Sequence, residues 1–482
     1  MVFNSFHFLA FFIITVTIFF ALPKRFKWMF LLAISYYFYM CWKPEFIILL
    51  VLTTLIDYSI ARGIAAAKSS ATRRLLLITS ITISVSVLGT FKYLDFFSAS
   101  LNSLFASFNI FLNVPTFHLL LPVGISFYTF QSLAYIVDVY RGTISPERHL
   151  GIFALFVVFF PQLVAGPINR TGHLLPQFYQ SHPLTFDRLR SGLQLALWGI
   201  FKKMAVADLV APFVESVYHN PHGQSGGVLL VATLFFTVQI YCDFSGYSDV
   251  AIGIARIMGF DLMTNFRQPY FATSMADFWR RWHISLSTWF RDYVYFPLGG
   301  SRVPRMRRHF NVIAVFLISG LWHGANWTFV AWGFMHGLLL VIENATESVR
   351  AFLARTLGLT RLPRTYLLIK ILFVFSIVLV TWVLFRARNF SDAAYIIAHL
   401  PRLRGFRPGQ LISHGLPIFE FALACTLIFA LFAVEACLVF QPRLVTSLWS
   451  RRPVRWTAYS LCVYSVIFFG VFERVQFIYF QF

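Results

Sequence analysis

The chain has 482 residues, of which 58% are hydrophobic and 19% aromatic but only 12% charged. So few polar residues cannot cover a water-soluble globule of this size, which excludes an ordinary soluble enzyme and leaves a chain solvated by lipid. The net charge of +21 does not signal a nucleic-acid partner, because the basic residues stand in short groups at the ends of apolar blocks: Lys24, Arg25 and Lys27; Arg73 and Arg74; Lys202 and Lys203; Arg302, Arg305, Arg307 and Arg308; Arg451, Arg452 and Arg455. That is the positive-inside pattern of membrane proteins.

The apolar blocks follow one another from end to end: 6–22, 47–60, 75–88, 119–139, 152–164, 193–200, 228–257, 312–321, 329–342, 367–385, 418–440 and 457–472. A helix needs about 20 apolar residues to cross the hydrocarbon layer, and several blocks are shorter, so the pattern predicts an all-α polytopic membrane protein of about nine to twelve spans with re-entrant or interfacial helices. The first block lacks a small-residue cleavage site and reads as a retained helix. If 28–60 forms a hairpin, the N-terminus lies outside; the basic stretches 350–364 and 386–407 flank one apparent span, so the charge rule leaves the C-terminal topology open. The shortened blocks between 228 and 340 predict a cavity, since irregular backbone at membrane depth needs protein or water around it.

No soluble-enzyme signature is present: GxSxG, GxGxxG, HExxH and the P-loop pattern are all missing, and the HxxxxD spacing of His182 and Asp187 is interrupted by Pro183 in a loop-like setting. The five cysteines, Cys41, Cys242, Cys425, Cys437 and Cys462, sit in apolar blocks without CxxC or Cys/His spacing, so they read as core residues and no metal site is expected. The glycosylation sequons at Asn326 and Asn344 lie within or beside membrane segments, so no glycosylation is read from them.

Three polar interruptions carry chemistry. In Gln239-Ile-Tyr-Cys-Asp243-Phe-Ser245-Gly-Tyr-Ser-Asp249 the carboxylates sit inside an apolar block, where they either pair with nearby arginines or handle substrate. In 276–293, a period of 100° per residue gathers Trp279, Trp282, Leu286, Phe290 and Tyr293 on one arc and the arginines opposite, predicting an amphipathic helix with His283 at the edge of the aromatic face. Third, His323 ends an apolar block in Gly320-Leu-Trp-His-Gly-Ala-Asn326, beside Trp322. Gly320 and Gly324, like Gly333 and Gly337 around His336, are four apart; they serve either close helix packing or the approach of a ligand to the imidazole. His336 lies 13 residues beyond His323, off its face on one continuous helix, and reads as structural.

With these residues in view, the chain resembles the membrane-bound O-acyltransferases, and within them the bacterial branch of alginate O-acetylation proteins, peptidoglycan O-acetylation proteins and teichoic acid D-alanyl transfer proteins. The resemblance rests on Leu321-Trp-His-Gly324 with Trp327, Trp332 and Gly333, and on Phe278-Trp-Arg-Arg-Trp-His283 through Asp292. It extends to Leu121 to Gln131, Phe160 to Pro167, Tyr241 to Asp249 and Thr381 to Arg386.

The resemblance implies one membrane-embedded acyltransferase domain over 1–482: N-terminal helices 1–115, a core holding a central catalytic tunnel in 116–345, and C-terminal helices 346–482. It makes His323 the signature histidine and general base, a role that suits an imidazole kept neutral by burial. His283 orients the acceptor or donates a hydrogen bond to the thioester carbonyl. Asp243, Ser245, Asp249, Trp279, Trp282, Trp322 and Asn326 are then expected along the tunnel. Further expectations are no bound cofactor, an acetyl-CoA or acyl-carrier-protein thioester as donor, a bacterial inner-membrane location, and an extracytoplasmic partner of the SGNH hydrolase type. Two other classes compete. A transporter would carry two similar halves, and no second copy of these motifs exists; a non-catalytic scaffold would tolerate loss of His323.

Overall fold

The computed structural model describes residues 1, 3–110, 112–164, 166–403, 406–407 and 409–472. Its regular elements among these residues are helices. Six meet the length and composition of a membrane span: Phe46–Ala66, Ser70–Ser107, Gly226–Ile257, Trp327–Ala345, Pro363–Arg386 and Ile418–Phe440. That is fewer than the nine to twelve expected. Other apolar blocks form shorter helices, such as Phe6–Ala21, or broken ones: Leu150–Val158 ends before the four-residue helix Phe160–Leu163, which carries Pro161 in its first turn.

The chain divides into two compact units, Met1–Ala196 with Ala251–Met263, and Leu197–Val250 with Thr264–Phe482. In the first, the resemblance motifs around Gln131 and Gln162 meet in a buried amide ladder. Gln131 Nε2 and Gln162 Nε2 both donate to the Phe156 carbonyl, at 2.7 and 2.8 Å. Asn169 Nδ2 then donates to Gln162 Oε1 at 2.9 Å, and Asn169 Oδ1 accepts from the Met263 amide. Each amide satisfies backbone groups that the broken helices leave open, the usual remedy for irregular chain in an apolar interior. Ala165 of that motif, and residues 473–482 of the expected C-terminal helices 346–482, lie outside the described residues. His182 is buried here against Phe260, with its Nε2 2.7 Å from the Gln177 carbonyl.

The second unit holds every candidate site residue. Its frame is the helical hairpin Arg305–His323 and Trp327–Ala345, closed through glycines. A Cβ on Gly320 would stand 2.3 Å from the Phe329 carbonyl oxygen, and one on Gly333 would stand 2.2 Å from that of Phe316. The glycines therefore serve close helix packing. Gly324 likewise faces the Phe329 ring, so none of these three opens a path for a ligand. Cys242 is buried in this unit, whereas Cys425 and Cys437 are exposed along Ile418–Phe440, contrary to the core placement expected of them.

Candidate active site

The carboxylates of the Gly226–Ile257 helix have partners that were not expected. Lys203 Nζ lies 2.7 Å from Asp243 and 2.8 Å from Asp208, while Lys202 Nζ reaches Asp249 at 2.6 Å and Ser245 Oγ at 2.9 Å. Both lysines are 3% exposed, so they are not the surface charges of a membrane boundary, and lysines rather than arginines neutralise the acids. Two local features bring them in. Phe201–Ala207 is wound as a π-helix, and Gly199 and Gly246 let the backbones nearly touch: a Cβ on either would meet the other's carbonyl at 2.5 or 2.7 Å. Ser245 and Asp249, four apart, present one face to Lys202. Tyr241, whose ring lies under Lys202, donates its hydroxyl to Glu435. Asp243, Ser245 and Asp249 thus belong to a buried ion-pair network, which stabilises only while every charge keeps its counterpart.

The helix expected over 276–293 is broken at its histidine. Met275–Arg281 ends, His283 takes the left-handed conformation (φ 42°, ψ 54°), and Ile284–Phe290 begins. Positive φ is costly for a residue with a Cβ and persists where surrounding contacts impose it. Here they come from 265–267: the Ile284 amide donates to the Asn265 carbonyl and the Arg267 amide to that of Arg281, each at 2.9 Å. The Asn265 side chain completes the fixation. Its Oδ1 accepts from the Ser285 amide at 3.3 Å, from Ser285 Oγ at 2.9 Å and from His283 Nδ1 at 3.1 Å, while its Nδ2 donates to Ser248 Oγ at 3.1 Å. Because Oδ1 only accepts, His283 carries its proton on Nδ1 and its lone pair on Nε2. His283 is fully buried and lies outside the six long apolar helices; desolvation pushes its imidazole down to about 3, which holds it neutral. Sequence reasoning missed Asn265 altogether; its only signal was a polar residue in a segment without periodicity.

His323 closes its helix, 3% exposed and ringed by aromatic edges: Trp322 at 4.9 Å, Trp332 at 5.0 Å and Phe385 at 5.4 Å between ring centroids. Trp322 also lies 6.1 Å from His283, so one indole links the two histidines. His336 is not on a continuous helix with His323, because Gly324 to Asn326 turn the chain. The turn brings Trp332 against His323, and His336, one helical turn beyond Trp332, lies 4.7 Å from it and 5.1 Å from Trp279. Trp282 is buried on the other flank, 5.0 Å from Trp382. The indole N–H groups of Trp279, Trp282, Trp332 and Trp382, and both nitrogens of His336, are buried with no hydrogen-bond partner among the described residues. Asn326 is a helix cap: its Oδ1 accepts from the Thr328 amide and its Nδ2 donates to the Arg388 carbonyl, each at 3.0 Å, which accounts for it without a substrate.

A buried pair of histidines among apolar rings and indole donors suits proton transfer in a water-poor site. The family model of the membrane-bound O-acyltransferases, MBOAT, matches residues 149–387, a stretch that includes Asn265, His283 and His323. A probable alginate O-acetylase of Azotobacter vinelandii is 42% identical over 398 residues, 82% of this chain and 76% of that protein. The chain belongs to the membrane-bound O-acyltransferase family. It is a multi-pass membrane O-acyltransferase, as its sequence motifs implied. A peptidoglycan O-acetyltransferase of Helicobacter pylori is 35% identical over 424 residues, 83% of this chain and 77% of the relative. Similarity to a teichoic acid D-alanyltransferase of Streptococcus thermophilus is narrower, at 30% over 237 residues, covering 46% and 57% of the two chains.

Proposed function

We propose that this MBOAT enzyme, in a bacterial inner membrane, takes an acetyl group from a cytoplasmic thioester, acetyl-CoA, for O-acetylation of an extracytoplasmic polysaccharide such as alginate, handing it on through a partner protein. The observation that carries this reading is the 42% identity to a probable alginate O-acetylase across 82% of the chain. An acetyl rather than a D-alanyl group is supported by the breadth of similarity, since the D-alanyltransferase match covers only 46% of the chain.

In the proposed chemistry, His323 takes the proton of the acceptor hydroxyl as its oxygen attacks the thioester carbonyl. The carbon–sulfur bond of the tetrahedral intermediate then breaks, and the proton passes from the imidazolium to the leaving thiolate, giving an ester and a free thiol. Trp332 supplies a donor for the developing oxyanion: its buried Nε1–H has no partner among the described residues, and its ring meets His323 at 86°. His283, with Nδ1–H committed to Asn265, holds its lone pair on Nε2. That tautomer favours orienting the acceptor, by accepting a hydrogen bond from a hydroxyl other than the attacking one, over donating to the thioester carbonyl.

The test uses proteoliposomes given acetyl-labelled acetyl-CoA on one face and polymannuronate on the other, with and without an SGNH-type partner. Base-labile label in the polymer only when both proteins are present is the expected result. Label that instead enters peptidoglycan fragments would move the acceptor to that polymer. No transfer from acetyl-CoA, with transfer from a charged carrier protein, would overturn the donor.

A further inference from the structure

A second cavity lies in the same unit but belongs neither to the histidine cluster nor to the ion-pair network. It is a groove of about 360 Å³, walled by the end of Trp327–Ala345, by Glu347–Thr356 and by the first half of Pro363–Arg386. Most of its wall is aliphatic or aromatic, with Leu339, Ile342, Leu353 and Phe373 among the lining residues. On Pro363–Arg386 the lining positions Tyr366, Lys370, Phe373 and Ile377 recur every three or four residues, a stripe about 16 Å long at 1.5 Å rise per residue. The outer lip is unusually apolar for a surface: Ile342 is 47% exposed, Leu353 48% and Phe373 64%, on or beside helices of membrane length.

The polar groups of the groove have one sign to spare. Its single carboxylate, Glu343, accepts the Met275 amide at 2.5 Å. Arg350 donates to the Glu343 backbone carbonyl at 2.6 Å, and Lys370 Nζ sits 4.4 Å over the Tyr366 ring. A carbonyl and an aromatic face orient these cations without neutralising them. The segment 347–370 adds Arg355, Arg361 and Arg364 against one acid, Glu347, so the local field is positive as well. An occupant must therefore combine a long apolar chain with an anionic head.

We propose that this groove is a binding site for an anionic glycerophospholipid, its acyl chain along the Phe373–Ile377 stripe and its phosphate between Arg350 and Lys370. A soluble anion would leave the apolar stripe uncovered, and a zwitterionic lipid would place its own ammonium among the arginines. Neither matches wall and charge together. A lipid held there ties the Glu347–Thr356 helix to the Pro363–Arg386 span.

The test is native mass spectrometry of the full-length protein titrated with phosphatidylglycerol, phosphatidylcholine of the same chains, or glycerol 3-phosphate. The parent should retain phosphatidylglycerol over phosphatidylcholine. Removing both charges in R350Q/K370Q should weaken it about 30-fold, the effect of two basic residues at a membrane surface; R350K/K370R should restore it. Filling the groove with Ala354→Phe should weaken both lipids, which keeps the proposal testable if the charge-removed variant does not purify. Equal retention of the two lipids, unchanged affinity in R350Q/K370Q, or displacement of phosphatidylglycerol by stoichiometric glycerol 3-phosphate would each overturn it.

Discussion

Replacing Asn265 by alanine is the sharpest perturbation of the site that leaves both histidines in the sequence. The substitution deletes one buried side chain that accepts three hydrogen bonds, from His283 Nδ1, the Ser285 amide and Ser285 Oγ, and donates a fourth to Ser248 Oγ. All four residues are 0–1% exposed, so water does not replace what is lost. At about 1 kcal/mol for each neutral bond, and 1–3 kcal/mol for a buried donor left unsatisfied, the expected cost is about 3–5 kcal/mol after partial relaxation. The same change frees the His283 tautomer and removes the brace of its left-handed backbone. Turnover should therefore fall at least about tenfold, as misplacement of a reacting group by a fraction of an ångström does. Asn265→Asp keeps the acceptor but adds a negative charge beside the imidazole, which raises its proton affinity; activity should survive with the acid limb of its pH profile moved upward. The assay is thiol release from acetyl-CoA by protein in nanodiscs supplied with the SGNH-type partner and polymannuronate, paired with thermal unfolding. An alanine variant with turnover within about twofold of the parent and unchanged unfolding would refute the assignment of Asn265 as the positioning residue of His283.

Lys203→Met should destabilise the protein by about 3–5 kcal/mol, because Asp208 and Asp243 lose the lysine they share, and Lys203→Met/Asp243→Asn should recover part of that loss in thermal unfolding. Gly320→Val should separate the histidine hairpin, since its Cβ would lie 2.3 Å from the Phe329 carbonyl; loss of acyl transfer with a lowered melting temperature is expected, whereas an active, stable variant would contradict the packing. Burial pushes His283 from 6.5 down to about 3, so between these values the unfolded chain binds a proton that the folded chain does not. Stability therefore rises with pH up to about 6.5 and is lost as pH falls below it. In His283→Gln the acid-side slope of melting temperature against pH should become shallower.

The membrane character was legible because it rests on composition and apolar block length, which neighbouring chain does not alter. The two histidines were legible through motif resemblance. What lay hidden was whatever depends on partners distant in sequence. Lys202 and Lys203 looked like the basic end of a span, yet Lys202 pairs with Asp249, 47 residues on, and Lys203 joins the nearby Asp208 to Asp243 on the Gly226–Ile257 helix. The aromatic period of 276–293 runs unbroken through His283, while the break is imposed by backbone and side-chain bonds from Asn265, 18 residues upstream. The turn at Gly324 to Asn326 carried local signals, a glycine and an asparagine cap, but reading one continuous helix placed His336 away from His323 when both touch Trp332.

The central claim is that acyl transfer runs through His323. Its most direct test measures thiol release from acetyl-CoA by purified parent and His323→Ala protein, each supplied with the SGNH-type partner and polymannuronate, with the folded state of each confirmed by thermal unfolding. Parent release that vanishes in a folded His323→Ala variant is the expected result. Equal release from both proteins would remove His323 as the base and contradict the account.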